Sequence, residues 1–284
     1  MALQREIWLE HLVGNLFPDN SFLAHSFNAD QFVRAGKVVH IPNAGAKQEA
    51  HVGPIQRPKV AKDQEDTELT FEIKEVYTDP VYIKNADKFE LSYSKRDAVL
   101  SATKGALGER VAIEILKGWI STSPKRNVKL SGSTFTRKEV LKAQTLLNKD
   151  DIPQEGRYLL LNAEAYEQLL NDLTEAQVNA FLASANATTG SVGKLYGFDV
   201  MLRSSLIEGV SAFAWHKNYV CRALGEHEMF FKENDPLYYA DVLSFLVRVG
   251  GRHMNTEGVG TVTFGEVAGA VHDPATGGSD PEDI

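Results

Sequence analysis

The longest helical pattern in the chain is SKRDAVLSATKGALGERVAIEILKGWI, residues 94–120. Apolar residues recur along it at roughly helical spacing from Ala98 to Trp119, and Ser94 can cap its first turn. A helix of about 25 residues spans roughly 37 Å. We therefore expect one long helix that forms the spine of the molecule.

Upstream of this helix, residues 48–77 have the pattern of an extended hairpin. Leu69, Phe71 and Ile73 alternate with polar residues in its second arm, which is the period of a β-strand. A two-stranded ribbon with one weak apolar face is marginal alone in water. We expect it to project and to be completed by another surface; the alternative is a hairpin folded back on its own domain.

The two arms of this ribbon differ in charge, since the first arm is basic and the second is acidic. Opposite charges would set the register between neighbouring subunits more than they would add affinity. The residues expected to contact a neighbouring subunit are Arg57, Lys59, Lys62, Glu68, Phe71, Glu72, Ile73 and Glu75.

The first 45 residues hold many aromatic side chains but little regular structure. A short amphipathic helix fits residues 2–13, and a strand fits residues 32–41. Such an arm needs a surface to lie on, which is either its own domain or a neighbouring subunit.

Downstream of the long helix, strands and helices alternate, which favours a compact α/β subdomain over residues 136–234. Thr136 precedes Glu139 by three residues, the spacing of a helix capping box. The predicted helices are 136–148, 163–173 and 175–185; the predicted strands are 157–161, 196–202, 210–215 and 219–223, with a flexible turn at 190–193.

The last part of the chain begins at Asp235–Pro236. Residues 242–249 are rich in β-branched and aromatic side chains, and residues 259–264 follow after a turn. We interpret them as a closing strand pair, although a helix over 238–248 also fits. Residues 272–284 carry four Asp and Glu and no Lys or Arg, which is typical of a flexible acidic tail.

Composition limits the classes of function. The chain has 284 residues, a formal net charge of −8 and one cysteine. The acid excess argues against a chain-wide basic surface for nucleic acid. No apolar run is long enough for a membrane span, and the charged first residues do not resemble a signal peptide, so we expect neither membrane association nor export.

A search for catalytic patterns returns nothing specific. The common phosphate-binding patterns, H-E-x-x-H and G-x-S-x-G are absent, and no two histidines have i, i+4 spacing. Cys221 lies in an apolar stretch, as a buried, unreactive thiol would. We expect no catalytic, cofactor-binding or metal-binding residue and no cofactor. An enzyme with a carboxylate-based site in the 136–234 lobe remains an alternative.

Several stretches resemble a known family. They are FTRKEVLKA (135–143), LNKDDIP (147–153), GRYLLL (156–161), GKLYGFDVMLRSS (193–205) and DPLYYADVL (235–243), followed by Gly250–Gly251. In this order they resemble the axial domain and the returning strand of tailed-bacteriophage major capsid proteins of the Hong Kong 97-type fold, in particular short-tailed-phage-like coat proteins.

The resemblance implies an α+β capsid fold with an N-terminal arm and an extended loop (E-loop). Its implied parts are an arm at 1–47, the E-loop at 48–78, a peripheral domain at 79–135 and 235–271 with the spine helix at 94–120, an axial domain at 136–234, and a tail at 272–284.

The implied function is a major capsid protein that assembles as hexamers and pentamers into an icosahedral shell around double-stranded phage DNA. The implied partners are copies of the chain itself, portal, scaffolding and decoration proteins, and the enclosed DNA through weak non-specific contact. The implied location is the virion capsid, assembled in the host bacterial cytoplasm. An encapsulin-like bacterial shell protein is the alternative with the same fold.

Overall fold

The computed structural model of the chain describes residues 21–34, 37–43, 67–84, 94–130, 134–186, 188–204 and 206–263. The helix expected at 2–13, the first arm of the ribbon and the acidic tail lie outside these residues. The helices are α1 (Ser94–Trp119), α2 (Arg137–Lys149), α3 (Ala163–Asp172) and α4 (Glu175–Ala183).

The strands form three sheets in the described part of the chain. In chain order they are β1 (Phe27–Asn28), β2 (Val33–Arg34), β3 (Val38–Asn43), β4 (Thr67–Glu72), β5 (Lys74–Tyr77), β6 (Val81–Lys84), β7 (Asn127–Lys129), β8 (Arg157–Asn162), β9 (Ser191–Leu195), β10 (Phe198–Arg203), β11 (Val210–His216), β12 (Val220–Asp235), β13 (Ala240–His253) and β14 (Val259–Thr263).

The five-stranded sheet is built on a long antiparallel hairpin of β12 and β13. Its order is β1-β12-β13-β5, and β6 also pairs with β13 nearer the hairpin turn. The long helix α1 covers one face of this sheet, as Val111 and Ile115 share a core with Phe245 and Val247. Each such apolar side chain contributes about 1.5–3 kcal/mol when fully buried. The expected spine helix is confirmed.

The six-stranded sheet has the order β7-β14-β11-β8-β10-β9. Alternate side chains divide its two faces: Leu159 and Leu161 pack with α2, α3 and α4, whereas Leu160 and Trp215 face the core that contains Trp119 of α1. Both faces are therefore covered, which explains why every residue of β11 is buried.

Residues 21–34 lie on the body of their own chain. The Phe22 ring meets Trp119 edge-on at a centroid distance of 5.9 Å and Trp215 at 6.4 Å. The following strand β1 pairs with β12, and the backbone N–H of Leu224 donates to Asp30 Oδ1 at 2.7 Å. For this part of the predicted arm, the surface it lies on is its own domain.

Three predictions about strands were wrong. The predicted flexible turn at 190–193 lies largely in strand β9, and the strand predicted to end at 223 continues to Asp235 as β12. The predicted closing pair does not form, because β13 pairs with β12 while β14 pairs with β11 and β7 in the other sheet. The chain therefore crosses between the two large sheets after β13.

Candidate subunit interface

The second arm of the predicted ribbon is held by two strands of its own chain. Strand β4 pairs with β3, with Asn43 opposite Thr67, and β5 pairs with β13, with Tyr77 opposite Leu246. This arm is therefore part of the subunit body. Residues 44–66 connect Asn43 to Thr67, which are direct cross-strand partners.

Phe71 and Ile73 lie in the core beneath the three-stranded sheet of β2, β3 and β4. They are 8% and 9% exposed and share this core with Val39, Ile41 and Cys221. The expectation that this apolar face is uncovered in a single chain is wrong, because β3 supplies the neighbouring strand and β12 supplies the surface below.

The three acidic candidates are exposed. Glu68 Oε1 lies 2.7 Å from His40 Nδ1, on the neighbouring strand β3, and Glu72 ends β4. Glu75 binds Arg248 across the β5–β13 pair. Arg57, Lys59 and Lys62 lie outside the described residues, so a contact of the basic arm with a neighbouring subunit stays a prediction.

Arg248 is the centre of a charged cluster that the sequence search missed. Its Nε and Nη2 atoms donate to Glu75 Oε1 at 3.0 and 2.9 Å, and its Nη1 donates to Glu226. The hydrogen bonds that Arg248 donates to Glu75 raise the pKa of Arg248, and the charges of Glu75, Glu226 and Glu228 act in the same direction. Two exposed carboxylates therefore bind one guanidinium, and the charge of a third, Glu228, also acts on it.

The face of the five-stranded sheet turned away from α1, which we call the outer face, also carries apolar side chains. Along β13 the residues alternate between buried and partly exposed from Val242 to Val249. The large exposed side chains beside the partly exposed set are Tyr77, Tyr82 and Phe230, at 71%, 52% and 50% exposure. No described helix covers this face as α1 covers the inner one.

The turn of the β12–β13 hairpin is an exposed tip with local side-chain contacts. Asp235 Oδ1 accepts the backbone N–H of Leu237 at 2.9 Å, and Lys232 lies 3.0 Å from Asp235 Oδ2. These contacts lower the pKa of Asp235. Tyr239 has a φ of 49°, and the Tyr238 ring stacks on Tyr82 at 5.9 Å. The left-handed backbone at a tyrosine is unusual, since this conformation favours glycine or asparagine.

A second charged cluster joins β5 to the spine helix. Glu114 lies 3.0 Å from Lys117, 3.4 Å from Lys74 and 3.5 Å from Arg110. Burial acts to raise the pKa of Glu114, but Lys117 and Lys74 outweigh it, so the pKa falls. This cluster joins Lys74, the first residue of β5, to α1.

The chemistry of the described residues gives no sign of a reactive centre. Cys221 is buried, and burial raises its pKa to about 12, so its thiol stays protonated near neutral pH. Among the described residues no group of three or more His, Cys, Asp or Glu could hold a metal ion. No helix in the described ranges is long and apolar enough to cross a lipid bilayer.

The architecture described above defines a class of protein. A long spine helix on one sheet, a second sheet covered by helices on one side, and a paired stem that leads into residues 44–66 are the parts of the Hong Kong 97-type capsid fold. The α+β fold predicted from the sequence is confirmed by its likeness to solved capsids.

Three solved structures illustrate this likeness. The capsid of Ralstonia phage GP4 matches with a TM-score of 0.63 and 12% identity, over 88% of each chain. The capsid of the cyanophage P-SCSP1u matches with a TM-score of 0.59 and 14% identity, over 84% of this chain and 86% of that one. The virus-like particle from Pyrococcus furiosus has a TM-score of 0.63 and 12% identity, over 91% and 99%.

The family follows from a separate comparison. A family model described as phage capsid protein matches residues 36–266, and the chain therefore belongs to this family. No curated protein matches the chain. The prediction of a bacteriophage capsid protein, made from the stretches at 135–161, 193–205 and 235–243 with Gly250–Gly251, is confirmed.

Proposed function

We propose that this chain forms the main shell of a tailed bacteriophage, assembling as hexamers and pentamers around double-stranded DNA in the host bacterial cytoplasm. The observation that carries the proposal is the phage capsid family match over residues 36–266. Family and fold belong to structural proteins, and we propose that the chain has no enzymatic activity. Portal, scaffolding and decoration proteins are the other proposed partners.

The proposed division of the subunit keeps the arm at 1–47, the E-loop at 48–78 and the tail at 272–284. Sheet membership supports moving β7 and β14 from the peripheral domain to the axial domain, and β12 from the axial to the peripheral domain. The peripheral domain then consists of α1 and strands β6, β12 and β13 of the five-stranded sheet.

The proposed contact between subunits involves the basic and acidic residues of the E-loop region. Identical copies that surround an axis touch through two different surfaces, so each copy must present two complementary patches. The exposed positions of Glu68, Glu72 and Glu75 support one such patch. Arg57, Lys59 and Lys62 would supply charge of the opposite sign.

Electron microscopy of the purified full-length chain, with and without its scaffolding partner, tests the proposal. Closed shells built from rings of five and six subunits are expected. A monodisperse monomer under both conditions would contradict the proposal.

A likeness to the Pyrococcus furiosus virus-like particle supports a second candidate, a bacterial shell that encloses protein. The contents of particles isolated from the natural host separate the two. Nuclease-protected double-stranded DNA is expected for the phage capsid, whereas an enclosed enzyme and no DNA would favour the encapsulin-like shell.

A further inference from the structure

We propose that the acidic tail, residues 272–284, binds a group of basic side chains on α1 and β5 of its own chain and shields them from other polyanions. These side chains are Lys74, Arg110 and Lys117, which surround Glu114, and we call them the basic cluster. The inference does not depend on the proposed shell, since it concerns contacts within one chain.

The first observation is the excess of positive charge in the basic cluster. The carboxylate of Glu114 lies 3.0 Å from Lys117, 3.4 Å from Lys74 and 3.5 Å from Arg110. Three positive charges and one negative charge leave a net charge of +2. One carboxylate therefore serves three cations, and an additional anionic group would find a favourable potential at this place.

The second observation is that the positive charges are the accessible part of the cluster. The side chains of Lys74 and Arg110 are 64% and 61% exposed, whereas that of Glu114 is 10% exposed. A cavity of about 580 Å³ adjoins the cluster and is lined by Lys74, Glu114, Glu72 and Arg252, among others. Glu72 and Arg252 carry opposite charges, so the net charge stays positive. Carboxylates that approach from solvent meet the cations first.

Residues 272–284, with the sequence HDPATGGSDPEDI, have the complementary chemistry. They contain Asp273, Asp280, Glu282 and Asp283 and no Lys or Arg, which gives a charge of −4 with histidine neutral. Three of these four carboxylates lie within residues 280–283, so they can reach several cations of one cluster together. Complementary charge of this kind selects the partner more than it adds affinity.

The length of the connecting chain favours the cluster of the same copy. Thr263, the last described residue, lies opposite Lys129 in β7, the strand that follows α1 in the chain. Eight residues, 264–271, separate Thr263 from the tail, and eight extended residues span up to roughly 28 Å. A helix with its side chains is about 10–12 Å across, so this length is enough to pass around α1. Such a short tether keeps the tail at a local concentration on the order of millimolar.

Carbodiimide cross-linking of the full chain tests the contact, because this reagent couples a carboxylate directly to an amine that lies against it. Mass spectrometry should find Lys74 or Lys117 joined to an acidic residue within 280–283. In a mixture of ¹⁵N-labelled and unlabelled protein, the linked peptides should carry the same isotope.

Lys138 is the matched control for this experiment. It is exposed on α2, and α2 shares a core with β14, the strand that precedes the tail. A tail without a preferred site would therefore reach Lys138 readily, whereas the proposal expects far fewer links there. Links to Lys138 as frequent as those to the basic cluster, or links between differently labelled copies alone, would overturn the proposal.

Substitution of Arg110 tests the role of charge while both lysines stay available for coupling. Arg110→Glu changes the net charge of the cluster from +2 to 0 and should lower the yield of links about tenfold, whereas Arg110→Lys should preserve it. Circular dichroism checks that both variants fold. Raising the salt to about 0.5 M should weaken the links of the unmodified chain in the same way. Links that are unchanged in Arg110→Glu and at high salt would contradict an electrostatic contact.

Removal of residues 272–284 tests the shielding. At about 50 mM salt the shortened chain should bind a short double-stranded DNA about fivefold more tightly than the full chain, because the cluster becomes free to contact phosphates. Adding Arg110→Glu to the shortened chain should abolish this gain. Equal affinities of the full and shortened chains would contradict the shielding, as would a gain that persists with Arg110→Glu. The proposal of a shell stands or falls separately, by electron microscopy.

Discussion

A Cβ atom on Gly118 would lie 1.7 Å from the backbone oxygen of Gly251. Helix α1 and strand β13 therefore touch through their main chains at this point. A Cβ on Gly251 would in turn meet the Ile115 side chain at 2.7 Å. These two glycines set how closely the spine helix approaches the five-stranded sheet.

Gly118→Ala should destabilise the subunit, because its new methyl group meets backbone that cannot rotate away. We expect a loss of about 1–3 kcal/mol in the free energy of unfolding, measured by urea denaturation. Gly105→Ala is the matched control in the same helix: a Cβ there meets nothing within 4 Å. That change should add about 1 kcal/mol through helix propensity. Equal effects at both positions would contradict the close approach.

Replacing residues 44–66 by a short glycine-containing turn should leave the subunit folded and abolish shells. Asn43 and Thr67 are cross-strand partners, so a tight turn can join them without moving β3 or β4. Circular dichroism and the melting temperature should match the full chain, while electron microscopy should find no closed shells. Normal shells from this variant would remove the assembly role proposed for the E-loop.

Phe71→Ala should impair folding before it impairs assembly. Phe71 is 8% exposed in the core beneath the three-stranded sheet, and truncating a buried phenylalanine costs about 3–5 kcal/mol. Glu72→Ala, at the exposed next position, should change stability by less than about 0.5 kcal/mol. The amount of soluble protein and its unfolding midpoint measure the loss of stability. A folded, stable Phe71→Ala subunit that fails only in assembly would instead support a contact of Phe71 with a neighbouring subunit.

Stability should fall on mild acidification because of His216. Its Nδ1 accepts the backbone N–H of Asn218, and its Nε2 lies 3.0 Å from the Glu155 carbonyl, so the neutral ring uses both nitrogens. Burial lowers the pKa of His216 in the folded state and outweighs the hydrogen bond with the Glu155 carbonyl, which raises it; Lys217 and Arg157 add to the lowering. The unfolded ring therefore takes up a proton at higher pH than the folded one.

The folded state should consequently lose stability as the pH falls through the ordinary histidine value of about 6.5, and the loss should level off below the folded pKa. The slope from this one group is at most about 1.4 kcal/mol per pH unit. Urea denaturation between pH 8 and 5 should give a shallower slope for His216→Gln than for the unmodified chain. Identical slopes would mean that the ring titrates alike in both states.

Local sequence signals predicted the helices well. The Thr136–Glu139 spacing indicated a capping box, and in the structure the Thr136 N–H donates to Glu139 Oε2 at 3.1 Å. Such signals are complete within a few residues, so they need no knowledge of the rest of the fold.

The sequence could not predict which strands pair with one another when they lie far apart in the chain. The strand β12 contains a register shift between Leu224 and His227, with Gly225 inside it, and this breaks the alternation by which strands are recognised. The alternation of Phe71 and Ile73 predicted a strand correctly, but it carries no information about which surface covers the apolar face. Arg248 meets Glu75 only through the register of β5 on β13, which no short-range pattern encodes.

Because Asn43 and Thr67 are paired, the length of the segment between them is independent of how the cores of the subunit pack. Since both ends are anchored side by side, residues can be inserted or removed between them while the cores of the subunit keep their packing. The length of residues 44–66 can therefore change without altering the packing of the subunit, and in the proposed shell such a change would alter the reach of one subunit towards the next. For the same reason this position is suited to carrying a foreign peptide.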